Sequence, residues 1–281
     1  MTIATEIRRP LGTMIVHGYP RGDVGVDLAI AVRLGATVVE ILPHWISYPD
    51  PILLRSRVAD VGLAIHSAHG CWGGQSIRAP QVDLGSTHPA TWSASLGDLR
   101  RCVDWLGAAG GSCLVVHPGG LSDPEESGPR EEALARGLVI LADHAAGTGV
   151  TICVENMPPG VHPGSTMGDL ARLAAGLDRP GLALALDTGH AHITGGHRPA
   201  TIAAGRLLRT THVHDNDGRR DSHLPPGLGT INWDAWIGHL DAVGYRGPLM
   251  LECIRHLREN PESLSPDLLG LLRRMCRLEG S

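Results

Sequence analysis

Eight short runs rich in Val, Ile, Leu and Ala alternate along the chain with stretches of amphipathic helical pattern, and this alternation is the strongest constraint on the fold. The runs fall at 13–17, 37–42, 63–66, 113–117, 150–155, 182–187, 210–214 and 248–252. They are apolar almost throughout rather than strictly alternating, as in parallel strands covered on both faces. Helices are expected over 24–34, 51–61, 90–109, 131–147, 167–178, 199–208, 233–243 and 264–277, with Gly35, Gly62, Gly110 and Gly244 as stop signals. Eight strand–helix repeats within 281 residues predict an α/β fold, a closed (β/α)8 TIM barrel filling 1–281 as one domain. A doubly wound sheet would place a glycine-rich phosphate loop after its first strand. Here that strand leads into His17-Gly-Tyr-Pro-Arg-Gly22, which does not fit.

Composition narrows the partners. The chain has no lysine, so its 24 basic residues are all arginine against 29 acidic ones, a net charge of −5. A global basic field for nucleic acid is absent. The six cysteines include no C-x-x-C pair and several lie in apolar runs, which predicts buried, reduced thiols and a cytoplasmic protein. The N-terminus lacks an apolar leader run, and no stretch reaches the roughly 18 apolar residues of a membrane span. The expected partner is a small-molecule substrate, with neither membrane nor nucleic acid involved; a homo-oligomer is compatible with the sequence. No G-x-S-x-G is present to suggest a serine nucleophile.

In a barrel, chemistry belongs to the C-terminal ends of the strands. Those ends carry His69, His117, Glu155, Asp187, His190, His212, His214 and Glu252, and the loop after the seventh strand adds Asp221 and His223. Singly, a strand-end histidine is more often structural than a ligand. Jointly, closure would crowd imidazoles and carboxylates into one mouth, which is electrostatically costly without cations. Metal binding is the economical reading. Asp187 and His190 sit one turn apart, and Asp221 and His223 share one side of an extended segment, a spacing suited to chelation.

The segments Val115-Val-His-Pro-Gly119, Val154-Glu-Asn156, Leu186-Asp-Thr-Gly-His190, His212-Val-His-Asp-Asn-Asp217, Asp221-Ser-His223 and Leu249-Met-Leu-Glu252 resemble the xylose isomerase-like TIM-barrel superfamily. That superfamily holds sugar and sugar-phosphate isomerases and epimerases, and endonuclease IV-type AP endonucleases. The resemblance implies two metal templates. The endonuclease pattern, a trinuclear zinc centre, finds a match at His69, His117, Glu155, Asp187, His190, His212, Asp221, His223 and Glu252. The isomerase and epimerase pattern, a single divalent ion such as Mn2+, Co2+ or Mg2+, corresponds to Glu155, Asp187, His212 and Glu252.

Both chemistries stay open at this level. For an isomerase or epimerase, a divalent ion would acidify a C–H beside a carbonyl, and Glu155 and Glu252 would exchange the proton as base and acid. Trp72, His190 and His214 would orient the substrate, and Arg219 and Arg220 could receive an anionic tail or simply form a solvated loop. For a zinc phosphoesterase, metal-activated water would attack phosphorus. The loop after the second strand has no basic residue, and the loop after the third offers only Trp72 for stacking and Arg78 as a cation, which disfavours DNA. A non-catalytic sugar- or metal-binding barrel ranks last, because both carboxylates needed for proton transfer are present. Glu40 reads equally as a residue orienting a ligand or as half of a structural ion pair. Trp233 and Trp236 are expected in a helix core face, and His144, His162, His197, His239 and His256 at structural or surface positions. Specificity belongs to loops 42–50, 70–89 and 118–130, which carry no readable motif.

Overall fold

Every one of the eight apolar runs becomes a strand in the computed structural model, which describes residues 8–20, 22–73 and 81–277. Arg78, the segment around it and the two chain ends lie outside the described residues. The strands are β1 (Leu11–His17), β2 (Val38–Pro43), β3 (Ala64–His69), β4 (Cys113–Val116), β5 (Thr151–Glu155), β6 (Leu182–Asp187), β7 (Leu208–Val213) and β8 (Leu249–Leu251). All pair in parallel in sequence order, and β1 closes on β8. The helices are α1 (Val24–Leu34), α2 (Pro51–Asp60), α3 (Pro89–Ala109), α4 (Ser127–Ala145), α5 (Met167–Leu177), α6 (Thr188–Thr194), α7 (His197–Ala204), α8 (Trp233–Ala242), α9 (Ile254–Glu259) and α10 (Pro266–Cys276).

Local chemistry starts and stops the helices where the pattern indicates. Asp23, Asp50, Thr166, Asn232 and Ser265 accept first-turn backbone N–H groups through their side chains. Gly35 and Gly110 end α1 and α3 in the left-handed region, at φ 78° and 82°. The expected helix over 199–208 stops at Ala204, where Gly205 leaves the helical region at φ 49° and a single 3-10 turn, Gly205–Leu207, leads into β7. Two short helices escaped the sequence pattern. α6 exists because Asp187, the last residue of β6, caps it through His190 N–H; α9 spans only six residues.

Apolar contacts divide into two bodies. The larger packs the helices onto the outer barrel surface and includes Trp233 and Trp236, whose rings meet edge-on at 5.6 Å. The smaller consists of Cys113, Val115, Cys153, Ala183 and Ala185. These lie two or four residues before His117, Glu155 and Asp187 in their strands, so they share the barrel-inward face with the site residues above them. All six cysteines are buried and free. Among the described residues no helix is long and apolar enough to cross a membrane.

Two irregularities in the sheet decide which side chains face inward. The β2–β3 register runs Val39↔Ile65 and then Glu40↔Ser67, skipping His66. The β6–β7 register runs Leu184↔Leu208 and then Ala185↔Thr210, skipping Arg209. Each one-residue bulge shifts the parity of the strand residues beyond it, so that Ser67 comes beside Glu40 and His212 beside Asp187.

The long β7–α8 connection, which carries Asp221 and His223, is tied down by Asp215. This buried carboxylate accepts from the N–H groups of Asn216, Gly227 and Ile231 at 2.9, 2.9 and 3.1 Å and from Trp233 Nε1 at 3.1 Å. Asp215→Ala would strand several buried donors at once, and its unfolding free energy should fall by about 3–5 kcal/mol. Denaturant titration of the purified variant measures this; a loss below about 1 kcal/mol would remove Asp215 from its place as the loop's anchor.

Candidate metal centre

Glu155 ends β5 with a side chain only 1% exposed, at the middle of the strand-end residues. Its Oε1 lies 2.8 Å from His212 Nδ1. Its Oε2 faces His117 Nε2 at 3.4 Å and His69 Nε2 at 3.7 Å, with no hydrogen bond of its own. Glu252, just beyond β8, brings Oε2 to 3.1 Å from His212 Nδ1, off the hydrogen-bonding line and likewise without a partner. On the other flank, Asp221 Oδ2 is 3.2 Å from His190 Nε2 and 3.1 Å from His223 Nε2. Ligand atoms gather within 4.8 Å of one another in the sets His69/His117/Glu155, Glu155/Asp187/His212/Glu252, Asp187/His190/His214 and His214/Asp221/His223.

The imidazoles are oriented from behind. His69 Nδ1 meets the Gly70 carbonyl at 2.8 Å, His190 Nδ1 the Asn156 carbonyl at 2.7 Å and His223 Nδ1 the Glu252 carbonyl at 3.0 Å. A carbonyl only accepts, so each Nδ1 carries a proton and each Nε2 is aimed at the carboxylates, free to give a cation its lone pair once any proton there is displaced. Asn156 also grips Asp187, accepting from its N–H at 2.8 Å and donating to its carbonyl at 3.1 Å. Asp187 Oδ1 caps α6 at His190 N–H, 2.7 Å away, which fixes the spacing of Asp187-Thr-Gly-His190.

Electrostatics matches this geometry. Burial opposes charge throughout the cluster, yet Glu155, Glu252 and Glu40 lift His212 well above the ordinary histidine range. His212 and His117 hold Glu155 well below the carboxylate range despite its burial. Against the same burial, His212 and His223 hold Glu252 down, and His190 and His223 hold Asp221 down. Burial opposed by Asp187 and Asp221 leaves His190 at about 10, and burial opposed by Glu252 and Asp221 leaves His223 at about 10. Burial and then His117 push His69 down, keeping it neutral. Ionised carboxylates, orphaned buried oxygens on Glu155 and Glu252, and imidazole Nε2 atoms aimed by backbone carbonyls form a donor set that fits a divalent cation.

All nine residues expected as ligands from the sequence therefore meet at one mouth. His214, expected to contact substrate, lies among them: its Nε2 is 3.0 Å from Asp187 Oδ2 and its ring stacks on His223 at 4.0 Å. Its Nδ1 is buried without a partner. Gly189 makes room for this ring, since a Cβ there would fall 1.9 Å from His214 Cε1. Trp72 is half-buried and meets His69 edge-on at 4.8 Å. Arg219 and Arg220 are exposed on a turn whose N–H groups bond Asp217, and they do not line the adjoining cavity.

That cavity, about 430 Å³, opens beside Asp221, His223 and Glu252 and runs between Met14, Leu42 and α9. Arg255 and His256 of α9 are part of its wall, a position for His256 that the sequence pattern did not indicate. Arg255 is paired with Glu259 at 3.0 Å and His256 with Ser263 at 3.1 Å. Glu40, left undecided by the sequence, is buried next to His212, with Oε1 2.9 Å from its Nε2.

Comparison with known proteins agrees with this architecture. L-ribulose 3-epimerase of Methylomonas sp. (strain DH-1) is 29% identical over 234 residues, 80% of this chain and 76% of that one. A probable endonuclease 4 of Bacillus velezensis is 27% identical over 204 residues, 64% of this chain and 67% of that one. The crystal structure of D-allulose 3-epimerase from Methylomonas sp. in complex with D-allulose shares the fold, with a TM-score of 0.77 at 24% identity over 98% of both chains. The family model described as xylose isomerase-like TIM barrel matches residues 28–275, and the chain belongs to that family.

Proposed function

We propose that the protein is a divalent-metal-dependent epimerase or isomerase that moves a proton on a small hydroxy-carbonyl compound of the ketose type. The observation that carries this reading is the pair Glu155 and Glu252. Each is held ionised, each has a buried oxygen without a hydrogen bond, and the two converge on His212 Nδ1 from β5 and β8 at 2.8 and 3.1 Å. Such a pair can address the two faces of one carbon. The carboxylate on one face takes the proton as the C–H bond breaks, and its electron pair moves into an enediolate. The other, which first takes up a proton from water in the cavity and so acts as the carboxylic acid, delivers that proton to the same or the neighbouring carbon. Their protonation states are then exchanged, and water in the open cavity resets them.

Glu155, Asp187, His212 and Glu252 would hold the ion, which supplies Lewis acidity at the substrate's carbonyl and hydroxyl oxygens. The chain's own groups supply position. Met14, Leu42 and Ile254 add apolar lining to the cavity's polar groups, and its volume suits a molecule of sugar size. The net charge of −5 and the absence of lysine fit a small substrate better than a phosphate backbone. The L-ribulose 3-epimerase among the relatives supports this reading.

A second reading rests on His190 and His223 flanking Asp221 Oδ2 at 3.2 and 3.1 Å. Single-ion chemistry does not require this further ligand set, whereas hydrolysis of a phosphoester by several zinc ions does. Metal analysis of protein purified without added metal or chelator separates the two. About one manganese, cobalt or magnesium ion per chain is expected; about three zinc ions would move hydrolysis ahead.

Incubation with L-ribulose or D-allulose in deuterated water should incorporate deuterium at the epimerised carbon. Glu252→Gln should slow that exchange by about 10²–10⁴-fold. Undiminished exchange in this variant would remove Glu252 from proton transfer.

A further inference from the structure

His69, His190 and His223 are oriented through main-chain carbonyls, but His212 is not. Its Nδ1 faces Glu155 and Glu252, while its Nε2 points away from them to Glu40 Oε1 at 2.9 Å. Glu40 has no exposed surface, and its second oxygen accepts from Ser67 Oγ at 2.5 Å. Both oxygens are thus used, and the carboxylate has no freedom to turn. The bulge that skips His66 is what sets Ser67 opposite Glu40.

We propose that Glu40 is the positioning residue of the inner metal locus, fixing His212 with Nδ1 towards the ion and making Glu155/Asp187/His212/Glu252 the tightest of the ligand sets. This rests on the metal-centre reading above. A carboxylate behind an imidazole does two things that a carbonyl does less well: it accepts a stronger, charge-assisted hydrogen bond, and it raises the basicity of the opposite nitrogen. Glu40 also brings a fourth carboxylate, itself fully buried, close to that locus, which favours a doubly charged occupant over none. No other candidate ligand among the described residues has a buried side-chain carboxylate outside the ligand sets behind it.

The assignment is tested by titrating chelator-stripped protein with Co2+ against a competing chelator, following the cobalt absorption bands, alongside the thermal midpoint of the metal-free form. Glu40→Gln preserves size and hydrogen-bonding reach but removes the charge. The first, tightest equivalent should weaken about 10–100-fold. Later equivalents and the metal-free thermal midpoint should be little changed. Ser67→Ala, which frees Glu40 but keeps its charge, should weaken the same equivalent less. An unchanged first equivalent in Glu40→Gln overturns the proposal. So does a uniform weakening of all equivalents together with a lowered metal-free midpoint, which would mark Glu40 as a structural filler. If the wild-type protein takes up no Co2+, the metal-centre reading itself fails, and that result is distinct from a wild type that binds with a variant that binds equally well.

Discussion

At the end of β5 a buried carboxylate, Glu155, holds His212 through one oxygen and faces His69 and His117 through the other. Everything else at the mouth is arranged around that contact. A carboxylate taken out of water with an unpartnered oxygen is expensive unless positive charge lies nearby. In the metal-free protein, protons on His212 beside it and on His190 at 3.9 Å supply it, because neighbouring carboxylates have raised both imidazoles. A divalent ion would replace those protons with charge that stays in place. Because Glu155 belongs both to the set with His69 and His117 and to the set with His212 and Glu252, the two loci cannot be altered independently through it.

Much of this was legible in the sequence, for a physical reason. Strands buried on both faces must be apolar over most of their length, so the polar residue that ends each run stands out: Glu155 after Thr-Ile-Cys-Val, Asp187 after Leu-Ala-Leu-Ala-Leu, Glu252 after Leu-Met-Leu. Closure of the barrel does the rest, bringing strand ends far apart in sequence to one rim. β3 was legible only in part. Its second half, Ser67 to His69, carries inward polar side chains and reads as a loop, although its backbone pairs with β4 through His69↔Val115.

Matters of parity and of short elements stayed hidden. A one-residue bulge reverses which side chains face inward, and nothing in the composition of β2, β3, β6 or β7 announces the skips at His66 and Arg209. Glu40 could therefore be read equally as an ion-pair partner or as support for a ligand until its register against Ser67 was known. The wall of the cavity was hidden for another reason. α9 is less than two turns long, too short for a helical period to emerge, yet it brings Arg255 and His256 to the same cavity as Glu252.

Burial separates the ligand sets more clearly than their residue types do. The inner one is closed: the side chains of Glu155, Asp187 and His212 are almost fully buried, and a further buried carboxylate stands behind the imidazole. The outer one is open, with Asp221 30% and His223 39% exposed beside a cavity that reaches solvent. Coulomb attraction to a cation weakens steeply as water enters, so identical ligands hold an ion less tightly at the rim than at the bottom of the mouth. The same exposure gives Asp221 and His223 a different use when no ion sits between them. Their polar atoms then face the cavity where a substrate's hydroxyl groups would lie. Whether the outer set would bind metal or substrate is thus a matter of competition at a partly wet site, while the inner set is assembled by the fold before any ligand arrives.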